Sequence, residues 1–203
     1  MKKTALVLVA STLAFGAYAS SKTKISESLT LKPGQDVSIS FPVGELELIT
    51  TNGSQIELEI SLKAKDEGWF SSNVDVDDVE LQMESSDKLL KLDIDNEKLE
   101  QHWAVKIPQS ANLDIQLGVG KVDIKDLTHS LNLDLGVGDV DVDLESENYR
   151  EIELDAGVGD TKIRGLNGVS NERHMVSSQS DYQGKGEYAI DIKVGVGDIE
   201  VVR

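Results

Sequence analysis

Hydrophobic and polar residues alternate along much of the second half of the chain, and this pattern predicts half-buried β-strands. In segment 131–144, leucines alternate with polar residues up to Leu135. The alternation changes phase across the Gly-Val-Gly triplet 136–138, and an apolar set resumes at Val140. A turn or bulge at Gly138 would let both strands face one core. The pattern therefore predicts a strand, a corner and a second strand.

This pattern repeats at nearly constant intervals. Four copies align without gaps around Gly-Val-Gly, and their first glycines are 18, 21 and 38 residues apart, the last interval being two periods of 19. A fifth, weaker copy precedes them by 76 residues, or four periods. Self-similarity at a fixed period of about 20 residues is typical of a solenoid. A flat array of hairpins is the alternative, but a single hairpin of this size cannot bury its apolar face.

The predicted fold is therefore all-β: a single-stack β-solenoid, or β-helix, with coils of about 18 to 21 residues and an irregular β N-terminal third. Residues 20–102 form the irregular part, which is continuous with the regular repeats of 103–203 as one domain. The five copies occupy residues 39–48, 113–124, 131–142, 152–163 and 190–201.

The two glycines of each corner have different predicted roles. The second is glycine in all five copies, which predicts a backbone angle that only glycine adopts easily. The first is replaced by Pro42 in the upstream copy, and proline fixes a negative φ. Small size, where coils stack closely, is the predicted reason for that glycine. The predicted corner residues are Gly44, Gly118, Gly120, Gly136, Gly138, Asp139, Gly157, Gly159, Asp160, Gly195, Gly197 and Asp198.

Stacked coils predict columns of side chains about 4.8 Å apart. Three columns of branched aliphatic residues are predicted to point inward: Leu113/Leu131/Ile152/Ile190, Ile115/Leu133/Leu154/Ile192 and Val119/Val137/Val158/Val196. The corner column consists of Lys121, Asp139, Asp160 and Asp198. Its aspartates would suit calcium, a hard cation, or would accept hydrogen bonds from their own turns. We favour the turns, because calcium-binding repeats place such residues at much shorter intervals, and we predict no metal site.

The first residues predict an export signal. Two lysines precede an apolar run from Ala5 to Phe15, and the small residues that a signal peptidase reads follow at 17–19. The run is well short of the roughly 20 residues that span a bilayer. We therefore expect residues 1–19 to be a signal peptide and the mature chain to have no transmembrane segment.

Two irregular segments contain candidate binding residues. Trp69 and Phe70 are adjacent aromatics in a predicted loop, where they would either contact a partner or fold back onto the core. Residues 167–187 interrupt the last double period, and insertions in repeat proteins often map to a binding face. The candidates in this insertion are Arg173, His174 and Tyr182.

Composition removes several functional classes. The chain has 20 basic and 37 acidic residues and a formal net charge of −17, which repels nucleic acid phosphates and anionic lipid surfaces. Cysteine is absent, which excludes disulfides, thiolate catalysis and cysteine-ligated zinc. The three histidines show no metal-binding spacing, and no phosphate loop or nucleophile elbow is present. We expect no catalytic residue, no cofactor and no nucleic-acid partner.

A resemblance to a known family adds to this interpretation. Ala104–Pro108, the run of Gly-Val-Gly-Asp copies and the closing Tyr182–Gly186 segment resemble the bacterial putative-adhesin domain, a domain of unknown function. That family is related in pattern to the head domains of putative autotransporter adhesins. The resemblance implies a β-solenoid in the bacterial envelope and brings no catalytic residues with it.

The sequence thus predicts an exported, non-enzymatic binding or scaffold protein, periplasmic and monomeric, whose partner is an unidentified envelope protein or glycan. One alternative is an adhesin displayed on the cell surface that binds host or matrix glycans. The other is a polysaccharide-active β-helix enzyme, whose basic residues would be Arg164, Arg173, His174 and Lys185.

Overall fold

The computed structural model describes residues 22–65 and 76–203, which form an all-β fold with an open sheet. Within these residues there is no α-helix, and Val76–Asp78 forms one 3-10 turn. The predicted signal peptide, Trp69 and Phe70 lie outside the described residues. The strands are β1 Lys22–Thr30, β2 Asp36–Thr51, β3 Gln55–Ala64, β4 Gln82–Ser85, β5 Leu89–Asp93, β6 Leu99–Pro108, β7 Leu113–Leu127, β8 Leu131–Leu144, β9 Tyr149–Val158, β10 Thr161–Arg164, β11 Ser170–Arg173, β12 Ser178–Gln183, β13 Tyr188–Val196 and β14 Ile199–Val202.

The repeated copies form bent strands that stack in parallel. β2, β7 and β8 each run through a corner, while β9 with β10 and β13 with β14 are the two halves of the other copies. The first halves pair in the order β2-β7-β8-β13-β9, and the second halves in the order β2-β7-β8-β14-β10. We call these two surfaces the first and the second half-sheet.

The copies pair in the register that their alignment predicts. Leu131 lies opposite Leu113 on one side and opposite Ile190 on the other, and Ile190 lies opposite Ile152. These residues are at most 3% exposed, so the first inward column is confirmed, as is the column that begins at Ile115. The buried residues of both half-sheets belong to one hydrophobic cluster.

The strands do not stack in the order of the sequence, so the predicted two-period gap is wrong. β13 lies between β8 and β9, although β9 precedes it in the chain by one copy. The hairpin of β11 and β12 covers the other edge of β9 in antiparallel pairing. The last copy therefore lies between the copies at 131–142 and 152–163. β2 likewise pairs directly with β7, with no coil between them despite the 76-residue interval.

The N-terminal third differs from the stack in strand direction. β1, β3 and β6 pair antiparallel and extend the second half-sheet beyond β2. β4 and β5 form an antiparallel pair that extends the first half-sheet, with β5 parallel to β2. The indole ring of Trp103 in β6 stacks on Phe41 of β2 at a centroid distance of 5.1 Å, which joins this region to the core. In residues 22–65 and 76–203, no helix is long and apolar enough to cross a membrane.

Candidate functional site at the corner of the stack

The second glycine of each copy bends the strand. We call this file of residues the bend glycines: Gly44, Gly120, Gly138, Gly197 and Gly159, in spatial order. Their φ angles lie between 137° and 153°, a region that L-residues rarely adopt. A Cβ atom on Gly138 would lie 1.7 Å from the carbonyl oxygen of Gly120. Both the backbone angle and the contact with the next strand therefore require glycine.

In the four copies that have it, the first glycine has an ordinary φ but also lies close to a backbone carbonyl of the neighbouring strand. We call this second file the groove glycines: Gly118, Gly136, Gly195 and Gly157. A Cβ on Gly136 would lie 2.5 Å from the carbonyl oxygen of Gly118, and a Cβ on Gly118 would lie 2.4 Å from that of Pro42. Close approach of the neighbouring backbone, rather than φ, excludes a side chain at these positions.

The valine between the two glycines points outward, so the third predicted inward column is wrong. Val119, Val137, Val158 and Val196 are 45–47% exposed. The prediction continued the alternation of the first strand half through the glycine. The chain instead turns at the corner, which leaves the valine on the outside of the bend and makes Val122 the next buried residue of its copy. We call these four side chains the valine ridge.

An open groove follows the groove glycines across the stack. Its volume is about 970 Å³, and its floor consists of Pro42 and the groove glycines. One wall is formed by outward side chains of the first half-sheet, and another by β5 and the residues after it. The polar side chains that line it are Ser40, Lys91, Asp93, Asp95, Gln116, Asp134, Asp155 and Lys193.

Acidic groups outnumber basic groups in this groove by four to two. Lys193 already has a partner, because its Nζ lies 2.8 Å from Oδ2 of Asp191. That hydrogen bond, more than any other contact, raises the pKa of Lys193, and the nearby charge of Asp134 adds to the effect. The lysine therefore stays protonated, and the groove has a net negative charge.

The aspartates at the corner bond to the neighbouring copy, not to their own turn as predicted. The carboxylate of Asp139 accepts a hydrogen bond from the backbone N–H of Asp198 at 3.1 Å. Asp198 in turn accepts one from the N–H of Asp160 at 2.8 Å, and Arg173 pairs with Asp160. We call these three residues the aspartate ladder. Parallel stacking brings each carboxylate to the next strand's N–H, a contact that one copy viewed alone does not reveal.

The described residues contain no group of three or more histidines or carboxylates arranged to hold a metal ion. Lys121 occupies the position of the ladder aspartates in its own copy and lies 3.0 Å from Asp141. The hydrogen bond and charge of Asp141 raise the pKa of Lys121. The corner column thus has basic partners at both ends.

The structure brings some of the candidate insertion residues to this corner and leaves others away from it. Arg173 and His174 are exposed at the tip of the β11–β12 hairpin, where Arg173 reaches the aspartate ladder. The hairpin tip also meets the end of the stack, because the N–H of Gly159 donates to the carbonyl oxygen of Val176 at 3.0 Å. Tyr182 is half-buried opposite Ile152 on β9 and packs against the core.

The basic residues considered for a polysaccharide enzyme do not line the groove. Arg164 pairs with Glu200 at 2.9 Å, and Arg173 pairs with Asp160. Sequence reasoning missed the residues that do line it, above all Asp134 and Asp155. Their signal was present in the alternation, which puts both residues on the outer face, two positions before a groove glycine.

One family and several solved structures are similar to the chain. The family described as the N-terminal domain of toast_rack, DUF2154, matches residues 18–164. A search of curated proteins finds no match. A crystal structure of a putative cell adhesion protein from Clostridium sporogenes ATCC 15579 is 16% identical, with a TM-score of 0.49, 89% of this chain covered and 99% of that chain. A putative adhesin from Bacteroides fragilis NCTC 9343 is 16% identical, with a TM-score of 0.33 and coverage of 88% and 97%. A putative adhesin from Parabacteroides distasonis ATCC 8503 is 6% identical, with a TM-score of 0.28 and coverage of 88% and 97%.

Proposed function

The chain belongs to the DUF2154 family of the N-terminal domain of toast_rack, and from this premise we propose that it is an exported, non-enzymatic binding module of the cell envelope. Its contact surface is the corner of the stack, where each valine of the ridge follows a groove glycine in the chain. The exposed valine, repeated in four copies, carries the proposal. Soluble proteins rarely expose contiguous apolar rows, and such rows mark sites of interaction.

The glycines beside the ridge support this assignment. A side chain at a groove glycine would occupy part of the groove. The close approach of the neighbouring strand excludes a side chain at each of these positions. The result is a floor that crosses several strands next to a row of apolar side chains. An extended ligand can lie across such a floor and contact several strands at once.

The carboxylates of the groove favour binding over catalysis. Asp134 and Asp155 lie on strands separated by β13, so their Cα atoms are about 10 Å apart at the usual strand spacing. A glycosidase typically holds its general acid in an apolar pocket. Both side chains are exposed, and Lys193 lies between them.

The architecture of the exported protein is part of the same proposal. Residues 1–19 serve as a signal peptide, and residues 20–203 fold as one monomeric, periplasmic domain that binds an envelope protein or glycan. The parallel, in-register stack of bent strands supports a description of its core as a short β-solenoid. The interleaving of the last copy makes that solenoid non-sequential.

Crosslinking in living cells tests the contact surface. A photoreactive amino acid replaces Val137 on the ridge, and in a matched control it replaces Glu59, which is exposed on β3 of the second half-sheet. We expect illumination to give a discrete adduct, identified by mass spectrometry, from position 137 and none from position 59. Equal adducts from both positions, or none from position 137, would refute the assignment of the corner.

Cell fractionation tests the location independently. A periplasmic protein survives protease treatment of intact cells and appears in the osmotic-shock fluid. Loss of the protein from intact cells would instead support the surface adhesin, and the ligand search would then turn to host and matrix glycans.

A further inference from the structure

The two sides of the valine ridge differ in how their carboxylates are used. On the side of the second half-sheet, the aspartate ladder accepts backbone hydrogen bonds, and Asp141 and Glu200 pair with Lys121 and Arg164. On the groove side, the carboxylates of Asp93, Asp95, Asp134 and Asp155 make no hydrogen bond or ion pair with any part of the chain that the structure describes. Among the carboxylates that lie next to the ridge, those without a side-chain partner in the described chain are therefore on the groove side.

This asymmetry, taken together with the proposed function on which it rests, identifies a class of ligand. We propose that the corner binds an extended polypeptide segment in which basic and apolar side chains alternate. The basic side chains face the free carboxylates of the groove, and the apolar side chains pack against the valine ridge. The main chain lies over the groove glycines.

The dimensions of the corner fit such a segment. Five strands form the floor from Pro42 to Gly157, which spans about 19 Å at about 4.8 Å per strand. An extended polypeptide covers this length with about six residues, and its side chains point alternately to opposite sides. One side can then meet the carboxylates while the other meets the valines.

Other ligand classes fit the corner less well. An acidic glycan would be repelled by the free carboxylates, and a neutral glycan would leave them without a counter-charge. The residues that line the groove also provide no exposed aromatic ring on which a sugar could stack, since Phe41 is only 2% exposed. A second copy of this chain has the same formal charge of −17, which opposes its approach.

Calorimetric titration of the exported protein with synthetic peptides tests the proposal. The probes are (Lys-Val)4, the charge-reversed (Glu-Val)4, the less apolar (Lys-Ser)4 and, as a glycan, cellohexaose. We expect binding of (Lys-Val)4 that weakens with added salt, weaker binding of (Lys-Ser)4 and no binding of (Glu-Val)4.

Variants then place the peptide on the corner. The double substitution Asp134→Asn with Asp155→Asn removes two exposed attractive charges and should weaken (Lys-Val)4 binding about tenfold. Val137→Ser with Val196→Ser should weaken it by removing apolar contact. The matched control is Glu59→Gln with Asp143→Asn, two exposed acids of the second half-sheet, and we expect it to bind as the unmodified protein does. Thermal unfolding of each variant confirms that it folds.

The outcomes separate this inference from the proposed function. Equal losses in the Asp134/Asp155 pair and the Glu59/Asp143 pair would mean that only net charge matters, and would overturn the inference. If (Lys-Val)4 fails to bind while cellohexaose binds in a manner sensitive to Val137→Ser, the corner remains a binding surface but the ligand class is wrong. If no probe binds, the polypeptide proposal fails, whereas the crosslinking experiment still decides the proposed function.

Discussion

A single valine separates the groove glycine from the bend glycine in four of the five copies, yet the two glycines are required for different reasons. The bend glycines have positive φ, and a Cβ there would lie 1.6–1.9 Å from a neighbouring carbonyl oxygen. At the groove glycines φ is ordinary, and the corresponding distance is 2.4–2.7 Å. The first file turns the strand so that both halves bury their apolar faces. The groove glycines keep the floor of the groove free of side chains on the outside of that turn.

A Gly-x-Gly corner therefore produces a surface as well as a bend. A strand that bends on a single glycine still has a side chain on each outward position beside the bend. Here the valine between the two glycines is exposed, and the position before it, on the floor of the groove, has no side chain. The most severe test is therefore a substitution that introduces a side chain at a bend glycine or at a groove glycine.

Gly138→Ala should have the largest effect on stability. Alanine would face both a disfavoured φ and a carbonyl oxygen at 1.7 Å, so the free energy of unfolding should fall by at least about 3 kcal/mol. Urea denaturation measures the loss. Gly53→Ala is the matched control, because Gly53 has a φ of 155° with no atom within 4 Å of a Cβ. A loss at Gly138 no greater than that at Gly53 would show that the strand contact is unimportant.

Gly136→Ala should have a smaller effect, because no φ strain accompanies the contact at 2.5 Å with the Gly118 oxygen. Crowding of a packed region costs about 1–3 kcal/mol, and denaturant unfolding should show a loss in that range. The same variant should also weaken ligand binding at the groove. If it destabilises the protein as much as Gly138→Ala does, the positive φ of the bend glycines adds nothing to the cost of a side chain.

Asp198→Ala should have the smallest effect of the three. It removes one acceptor from the aspartate ladder and leaves the N–H of Asp160 without its side-chain partner, a loss of about 1 kcal/mol. Asp198→Asn keeps an acceptor oxygen and should retain most of the stability. Equal destabilisation by the two substitutions would indicate that the charge, and not the hydrogen bond, supports the corner.

The columns of the stack could be predicted because strand side chains have a period of two and the copies align without gaps. That reasoning identified the Leu113 and Ile115 columns and the parallel register. It placed Val119 wrongly, because a glycine has no side chain that shows which face of the sheet it lies on. The alternation can therefore change phase either before or after the valine. A positive φ at Gly120 puts the change at the corner itself.

The order of the strands could not be predicted, because every copy presents the same edges and the same columns to its neighbours. Nothing in the sequence of β13 distinguishes a position beside β8 alone from one between β8 and β9. The groove was hidden for a related reason. Asp93 and Asp95 form part of its wall, but they come from the N-terminal third, outside the repeat, and only the pairing of β5 with β2 brings them there.

The most direct test of the central claim is a titration of the exported protein with (Lys-Val)4, followed through the NMR signals of its valine and isoleucine methyl groups. If the corner is the binding surface, the signals of Val119, Val137, Val158 and Val196 will shift together. The signal of Ile49, which is 36% exposed on the second half of β2, will stay in place. Shifts at Ile49 without shifts along the valine ridge would contradict the account.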